Sequence, residues 1–164
     1  MDLRETHTIG AQRHPWEVAR FRFFDAVLAR HGVKDRAANV IDVGAGDAWF
    51  AAQFLAGMPR GTAITCWDAG YDAEATRDKG DGITRTATKP NEIADVILLL
   101  DVLEHVEDDR GFLTSLVREN TRPGSLVLIS VPAWSRLFSA HDVYLKHHRR
   151  YAPDEGARRR RVSA

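Results

Sequence analysis

Between residues 39 and 48 the chain reads Asn-Val-Ile-Asp-Val-Gly-Ala-Gly-Asp-Ala, an apolar run that carries Asp42 into a turn built from Gly44, Ala45 and Gly46. Glycines there permit positive φ and let a ligand approach the backbone, and a helix starting just beyond them offers free N–H groups. A Gly-x-Gly pair alone is as readily a tight turn as a binding loop. Its weight here comes from two carboxylates: Asp42, two residues ahead of the turn, and Asp68, which closes a second apolar run 24 residues beyond Gly44. A dinucleotide loop would continue to a third glycine, but that position holds Trp49. A carboxylate at Asp42 repels a pyrophosphate and attracts an ammonium or sulfonium group, so the turn suits a cationic nucleoside better than a dinucleotide. For proton transfer at the same rim the candidates are His105 and His141, because imidazole is the side chain that exchanges protons near neutrality. Both also read as ordinary residues: His105 packed in a first turn, His141 solvated on a loop near Asp142 and His148.

These side chains need a frame that brings them together. Apolar runs at 39–43, 62–67, 94–100 and 126–131 read as strands, as does the more polar 83–87, and 94–100 is apolar on both faces as a central parallel strand must be. Helices are expected over 47–55 and 108–120. A further one spans 16–31, where Trp16, Ala19, Phe23 and Val27 mark an amphipathic stripe and Gly32 a stop. On this reading Trp16, Phe21, Phe23 and Phe24 are core or helix-docking residues and Cys66 is a small buried one. Residues 69–82 are polar, with at most a short helix. Alternation of this kind specifies an α/β fold, a doubly wound, mostly parallel sheet, whose ligands sit at the carboxyl ends of the strands. Those ends carry Asp42, Asp68, Asp101 and Ser130 along one rim.

Over residues 39–132 the chain resembles the class I S-adenosylmethionine-dependent methyltransferases, the group that includes ubiquinone-biosynthesis methyltransferases. Val40 to Gly46 is similar to the first motif of that family, with Ala48 where a third glycine is usual. Asp68 matches the acidic strand end that holds the ribose hydroxyls, and Leu100 to Val106 (Leu-Asp-Val-Leu-Glu-His-Val) matches the segment after the fourth strand. Pro123-Gly124-Ser125 matches the turn into the fifth. The resemblance implies a Rossmann-like sheet and S-adenosylmethionine as cofactor, held by Asp42, Gly44, Ala45, Gly46, Trp67, Asp68, Asp101 and Val102. It implies transfer of a methyl group to a small-molecule, lipid or glycan-linked acceptor. The lipid or glycan element rests on His141-Asp142 and His148-Arg149-Arg150-Tyr151, which resemble a segment of envelope-modifying relatives; Arg149, Arg150 and His147 could clamp an anionic acceptor. His14 to Arg20 resembles the opening helix of some bacterial members. Arg85-Thr86-Ala87-Thr88 departs from the family in offering adenine no carboxylate, which leaves backbone groups and the packing of Trp67 or Trp49. Beside this reading stand a non-catalytic S-adenosylmethionine-binding or interaction module and, third, a nicotinamide-dependent dehydrogenase.

The family sheet ends in an antiparallel hairpin, and the polar, basic stretch after residue 131 offers no such strands. The sequence therefore predicts about five strands, with a fifth-strand edge that residues 133–150 cover, or that pairs with a second copy in a homodimer, or that marks a truncated chain. The domain is expected to span 1–151, with the cofactor core at 39–132 and a disordered basic tail at 152–164. Composition agrees with a folded domain: 164 residues, 44% hydrophobic and 28% charged. Twenty-three basic residues balance 23 acidic ones, so the chain as a whole gives no field for nucleic acid. The single cysteine, Cys66, excludes an internal disulfide, and no apolar run approaches a membrane span or a signal core. A cytoplasmic protein is the expectation.

Overall fold

A computed structural model describes residues 13–36, 38–72 and 82–152. Among these residues five strands form one parallel sheet: β1 (Asn39–Val43), β2 (Ala63–Trp67), β3 (Ile83–Thr86), β4 (Val96–Leu100) and β5 (Leu126–Ser130), in the order β3-β2-β1-β4-β5. β1 lies at the centre because Val40, Ile41 and Val43 are apolar on both faces, and β4 beside it is buried at all five positions. The order reverses direction between β1 and β4, so the two connections leave a crevice above their carboxyl ends.

The helices divide between the faces. α1 (Pro15–Arg30) and α2 (Trp49–Ala56) cover the face that carries Val40, Ile64, Cys66 and Leu98, while α3 (Asp109–Asn120) covers the face of Ile41, Val43, Ile97 and Leu99. α1 starts sharply: the His14 ring accepts the Trp16 N–H, Pro15 supplies a preset φ, and Glu17 reaches back to the His14 N–H. Its buried side differs from the predicted stripe. Phe21, Phe24 and Leu28 meet the core, whereas Trp16 and Phe23 are exposed. The helix is turned by about one residue because Glu17 and Arg20, polar residues on the inward side, face the crevice. α2 begins at Trp49 rather than at residue 47, since Ala48 takes a left-handed conformation (φ 63°) as its N-cap.

After β5 the chain forms no further strand among the described residues. It turns through a short 3₁₀ segment and α4 (Ala140–Tyr144), then returns over the carboxyl rim. The return is fixed by a bridge between Ala133 and Tyr151, by the Trp134 N–H donating to Tyr151 O at 2.8 Å, and by the buried Tyr151 hydroxyl donating to Asp109 Oδ2 at 2.8 Å. Residues 133–152 thus cap the rim end of β5 and supply no strand along its edge, where Ile129 is exposed. The run of arginines at 158–161 and most of the 69–82 stretch lie outside the described residues.

Candidate functional site

The crevice above β1 and β4 is an open cleft lined by Glu17, Arg20, Phe21, Asp42, Ala45 and Trp49 among others. Asp42 sits on the central strand between Cys66 and Leu98 and is 3% exposed. Burial pushes its carboxyl up to about 7, against the pull of the Arg20 guanidinium and with a further push from Asp68. The turn that follows folds tightly: Gly44 and Gly46 both have positive φ (65° and 57°). A side chain at Gly44 would put its Cβ 2.7 Å from Val102 Cγ2, so β1 and the loop after β4 touch through the missing Cβ. The Gly44 N–H donates to Trp67 O at 2.7 Å, and Asp68 Oδ2 accepts the Gly46 N–H while Oδ1 accepts the Gly70 N–H, each at 2.8 Å. Asp68 therefore braces the turn from the end of β2.

Asp101 leaves β4 with φ 60°. It accepts a hydrogen bond from Ser130 Oγ at 2.7 Å and an ion pair from Arg20 at 2.5 Å, so α1 is tied across the rim to the end of β4. Arg20, Glu17 and Phe21 are cleft residues that the sequence reading placed only on a helix; the polar positions within an otherwise apolar face were the signal. The two candidate tryptophans part company. Trp49 lines the cleft and carries Arg13 over its ring, whereas Trp67 turns to the α3 face and packs on Phe112 with ring centroids 5.8 Å apart.

Beyond Asp101 the chain makes a single 3₁₀ turn, Leu103–His105, that buries Glu104 and exposes His105. Glu104 is 1% exposed, its Oε2 has no hydrogen-bond partner, and burial pushes its carboxyl up to about 7, with Asp101 adding to the rise. The returning segment docks here: the His148 N–H donates to Glu104 O at 2.7 Å, and the His147 ring meets His105 edge-on, centroids 4.6 Å apart. His147 Nδ1 lies 3.0 Å from Asp142 Oδ1. Asp142, wholly buried on α4, also accepts from Arg150 Nε at 2.7 Å and from the Ser139 N–H and hydroxyl. The Arg150 guanidinium, the His147 ring and the Ser139 donors outweigh burial and hold the Asp142 carboxyl well below the usual carboxylate range.

The expected basic clamp is spent on the fold: Arg149 bonds Glu107 O at 2.6 Å and pairs with Asp109, and Arg150 pairs with Asp142. His141 stays exposed on α4 while its neighbour Asp142 turns inward. Of the two candidate histidines, His105 is the one placed on the loop leaving β4. Glu104 and Asp142 were legible as residues but not as members of a cluster, because they are 38 positions apart and only the return of the chain joins them.

Residues 16–160 match the methyltransferase domain family. A ubiquinone biosynthesis O-methyltransferase of Rickettsia canadensis (strain McKiel) is 29% identical over 99 residues, which cover 56% of this chain and 42% of that protein. The chain thus spans less than half the length of this relative. Among solved structures, a 4+2 cyclase, SpnF, superposes with TM-score 0.64 at 16% identity, covering 92% of this chain and 59% of that one. DhpI in complex with SAH gives TM-score 0.56 at 20% identity, covering 87% and 74%. At such identities the likeness is one of fold, and the cyclase shows that the fold hosts more than one chemistry. With the family match over most of its length and the glycine turn, Asp68 and the Asp101–His105 loop assembled at one rim, the chain belongs to the methyltransferase domain family, as a class I, S-adenosylmethionine-dependent methyltransferase domain.

Proposed function

We propose that this domain binds S-adenosylmethionine over the Gly44–Gly46 turn and transfers its methyl group to a small-molecule, lipid or glycan-linked acceptor. The observation that carries the reading is Asp42: a carboxyl buried at the floor of the cleft, beside a turn of positive-φ glycines, suits a ligand bringing a positive charge and disfavours a pyrophosphate. Asp68, at the far side of the turn where it accepts the Gly46 N–H, would take the ribose hydroxyls on its remaining lone pairs, and Trp49 and Ala45 offer an apolar wall. In the transfer, a lone pair on the acceptor forms the new bond to the methyl carbon as the carbon–sulfur pair returns to sulfur, leaving a neutral thioether. A hydroxyl acceptor then loses its proton to water. Because the displacement is in-line, alignment of the two reactants supplies much of the rate, and the His105 side of the rim is where we place the acceptor.

Calorimetric titration of the full chain with S-adenosylhomocysteine and with NAD tests this. Binding of the first and not the second is expected; folded protein that fails to bind S-adenosylhomocysteine overturns the proposal. Asp68→Ala should weaken that binding about 10- to 100-fold, the worth of hydrogen bonds to a charged group. Turnover against hydroxyl and amine acceptors then separates an enzyme from a module that only binds the cofactor.

A further inference from the structure

Glu104 presents a physical problem that the cofactor reading leaves unsolved. A carboxylate oxygen shut away from water with no donor in reach costs free energy, and native proteins rarely keep one without a partner. The groups gathered around it are two imidazoles. Glu104, His105 and His147 each offer one ligand atom, and the three atoms lie within 4.8 Å of one another. Two of these residues come from the 3₁₀ turn after β4 and one from the returning segment, and the hydrogen bond from the His148 N–H to Glu104 O locks the two stretches together.

The orientation of His147 adds an independent argument. Asp142 is a carboxylate, an acceptor only, so the His147 Nδ1 that faces it at 3.0 Å donates to it, and Nε2 is the ring nitrogen left to serve as a ligand atom. Metal-binding imidazoles are held in this way, with the second ring nitrogen donating to a buried carboxylate that fixes both tautomer and ring direction. Asp142 is itself clamped by Arg150 and Ser139, which leaves it no freedom to turn away.

We propose that Glu104, His105 and His147 bind a divalent first-row metal ion such as Zn2+ or Co2+, with Asp142 as the positioning residue for His147. One carboxylate and two imidazoles match the preferences of such ions, which bond at about 2.0–2.2 Å, so the three donors need close by only a short distance onto the ion. Three protein ligands leave coordination positions open, and the exposure of His105 puts them on the solvent side of the rim. An acceptor hydroxyl bound there would lose its proton to water more readily than a free one. This use of the ion rests on the methyltransferase reading; the site itself does not.

The test is titration of the full chain with Co2+, followed by visible absorption, and competition with Zn2+. One equivalent of Co2+ should raise a ligand-field band that Zn2+ removes. Glu104→Gln, an isosteric change, and His105→Ala, at an exposed position, should each weaken binding at least about tenfold, and Asp142→Asn should weaken it about 10- to 100-fold through His147. His31→Ala, at the end of α1, should leave it unchanged. Absence of the band, or affinities in Glu104→Gln and His105→Ala equal to that of the parent chain while both remain folded by circular dichroism, overturns the site. S-adenosylhomocysteine titrated into the same samples keeps the two proposals apart. Cation binding without it supports this site and removes the cofactor reading; cofactor binding without the cation does the reverse.

Discussion

Two residues at the rim show how much depends on single side chains. Asp42 is the more telling, because its carboxyl is raised from 3.8 to about 7 by burial. The sign follows from proton counts. Between those values the unfolded chain is ionised and the folded one still protonated, so the folded state binds more protons and loses stability as pH rises. The loss amounts to about 4 kcal/mol once the folded group has also ionised, above pH 7. Thermal melts of the ligand-free chain should therefore fall from pH 5 to 8 more steeply than those of Asp42→Asn. A cationic cofactor pairs with the ionised form, so S-adenosylhomocysteine or S-adenosylmethionine carrying its ammonium should bind more tightly as pH rises to about 7, with proton release visible in calorimetry in buffers of different ionisation heat. Asp42→Asn should flatten that dependence; an unflattened curve would move the pH effect to another group. Gly44 is the second case. Gly44→Ala incurs about 1–2 kcal/mol for its left-handed backbone and about 1–3 kcal/mol for the contact with Val102. In urea denaturation Val102→Ala should recover the second part in the double variant and not the first.

At the scale of elements, α1 is where pattern and placement diverge. The apolar positions Trp16, Ala19, Phe23 and Val27 form a legible stripe, yet the face that meets the sheet runs through Phe21, Phe24 and Leu28. A helix with aromatic residues on several sides does not state which side is wanted; the crevice decides, because Arg20 must reach Asp101 and Glu17 must face the cleft. Leu28→Ala should accordingly cost about 2–5 kcal/mol in chemical denaturation, as for other fully buried leucines, and Phe23→Ser less than about 0.5 kcal/mol. Equal costs would restore the predicted stripe. The strands were easier to read. β4 is an unbroken apolar run closed by Asp101 and β2 a largely apolar one closed by Asp68, patterns with few other solutions in a parallel sheet, whereas β3, Ile-Thr-Arg-Thr at the sheet edge, carries no such run.

For the molecule as a whole, the segment after β5 is the part that holds the rim together. It crosses from Pro132 to Tyr151 and ends on α3, where the buried Tyr151 and Asp109 pair and the partly exposed Arg149 joins Asp109 from outside. Tyr151→Phe removes the donor from a buried carboxylate and should cost about 1–3 kcal/mol. Limited proteolysis should then cleave within residues 133–150 faster than in the parent chain, while the β1–β4 core stays resistant; equal protection would mean that other contacts hold the segment. Among the described residues no helix is long and apolar enough to cross a membrane.

What the sequence determined alone was everything carried by neighbours in the chain: five strands, the glycine turn at the end of β1, the acidic end of β2, and the likeness to a methyltransferase that those motifs express. Local propensity and hydrophobic period act over a few residues, so they are legible without a fold. What only the tertiary structure decided was every pairing at long range. It buried Asp42 beside Arg20, tied α1 to Asp101, spent Arg149 and Arg150 on carboxylates, and brought His147 back to Glu104 and His105. The contacts of Arg149, Arg150 and His147 follow from where the chain after β5 turns, and that turn is held by the buried Asp142 and Tyr151, residues whose types carry no sign of the partners they meet.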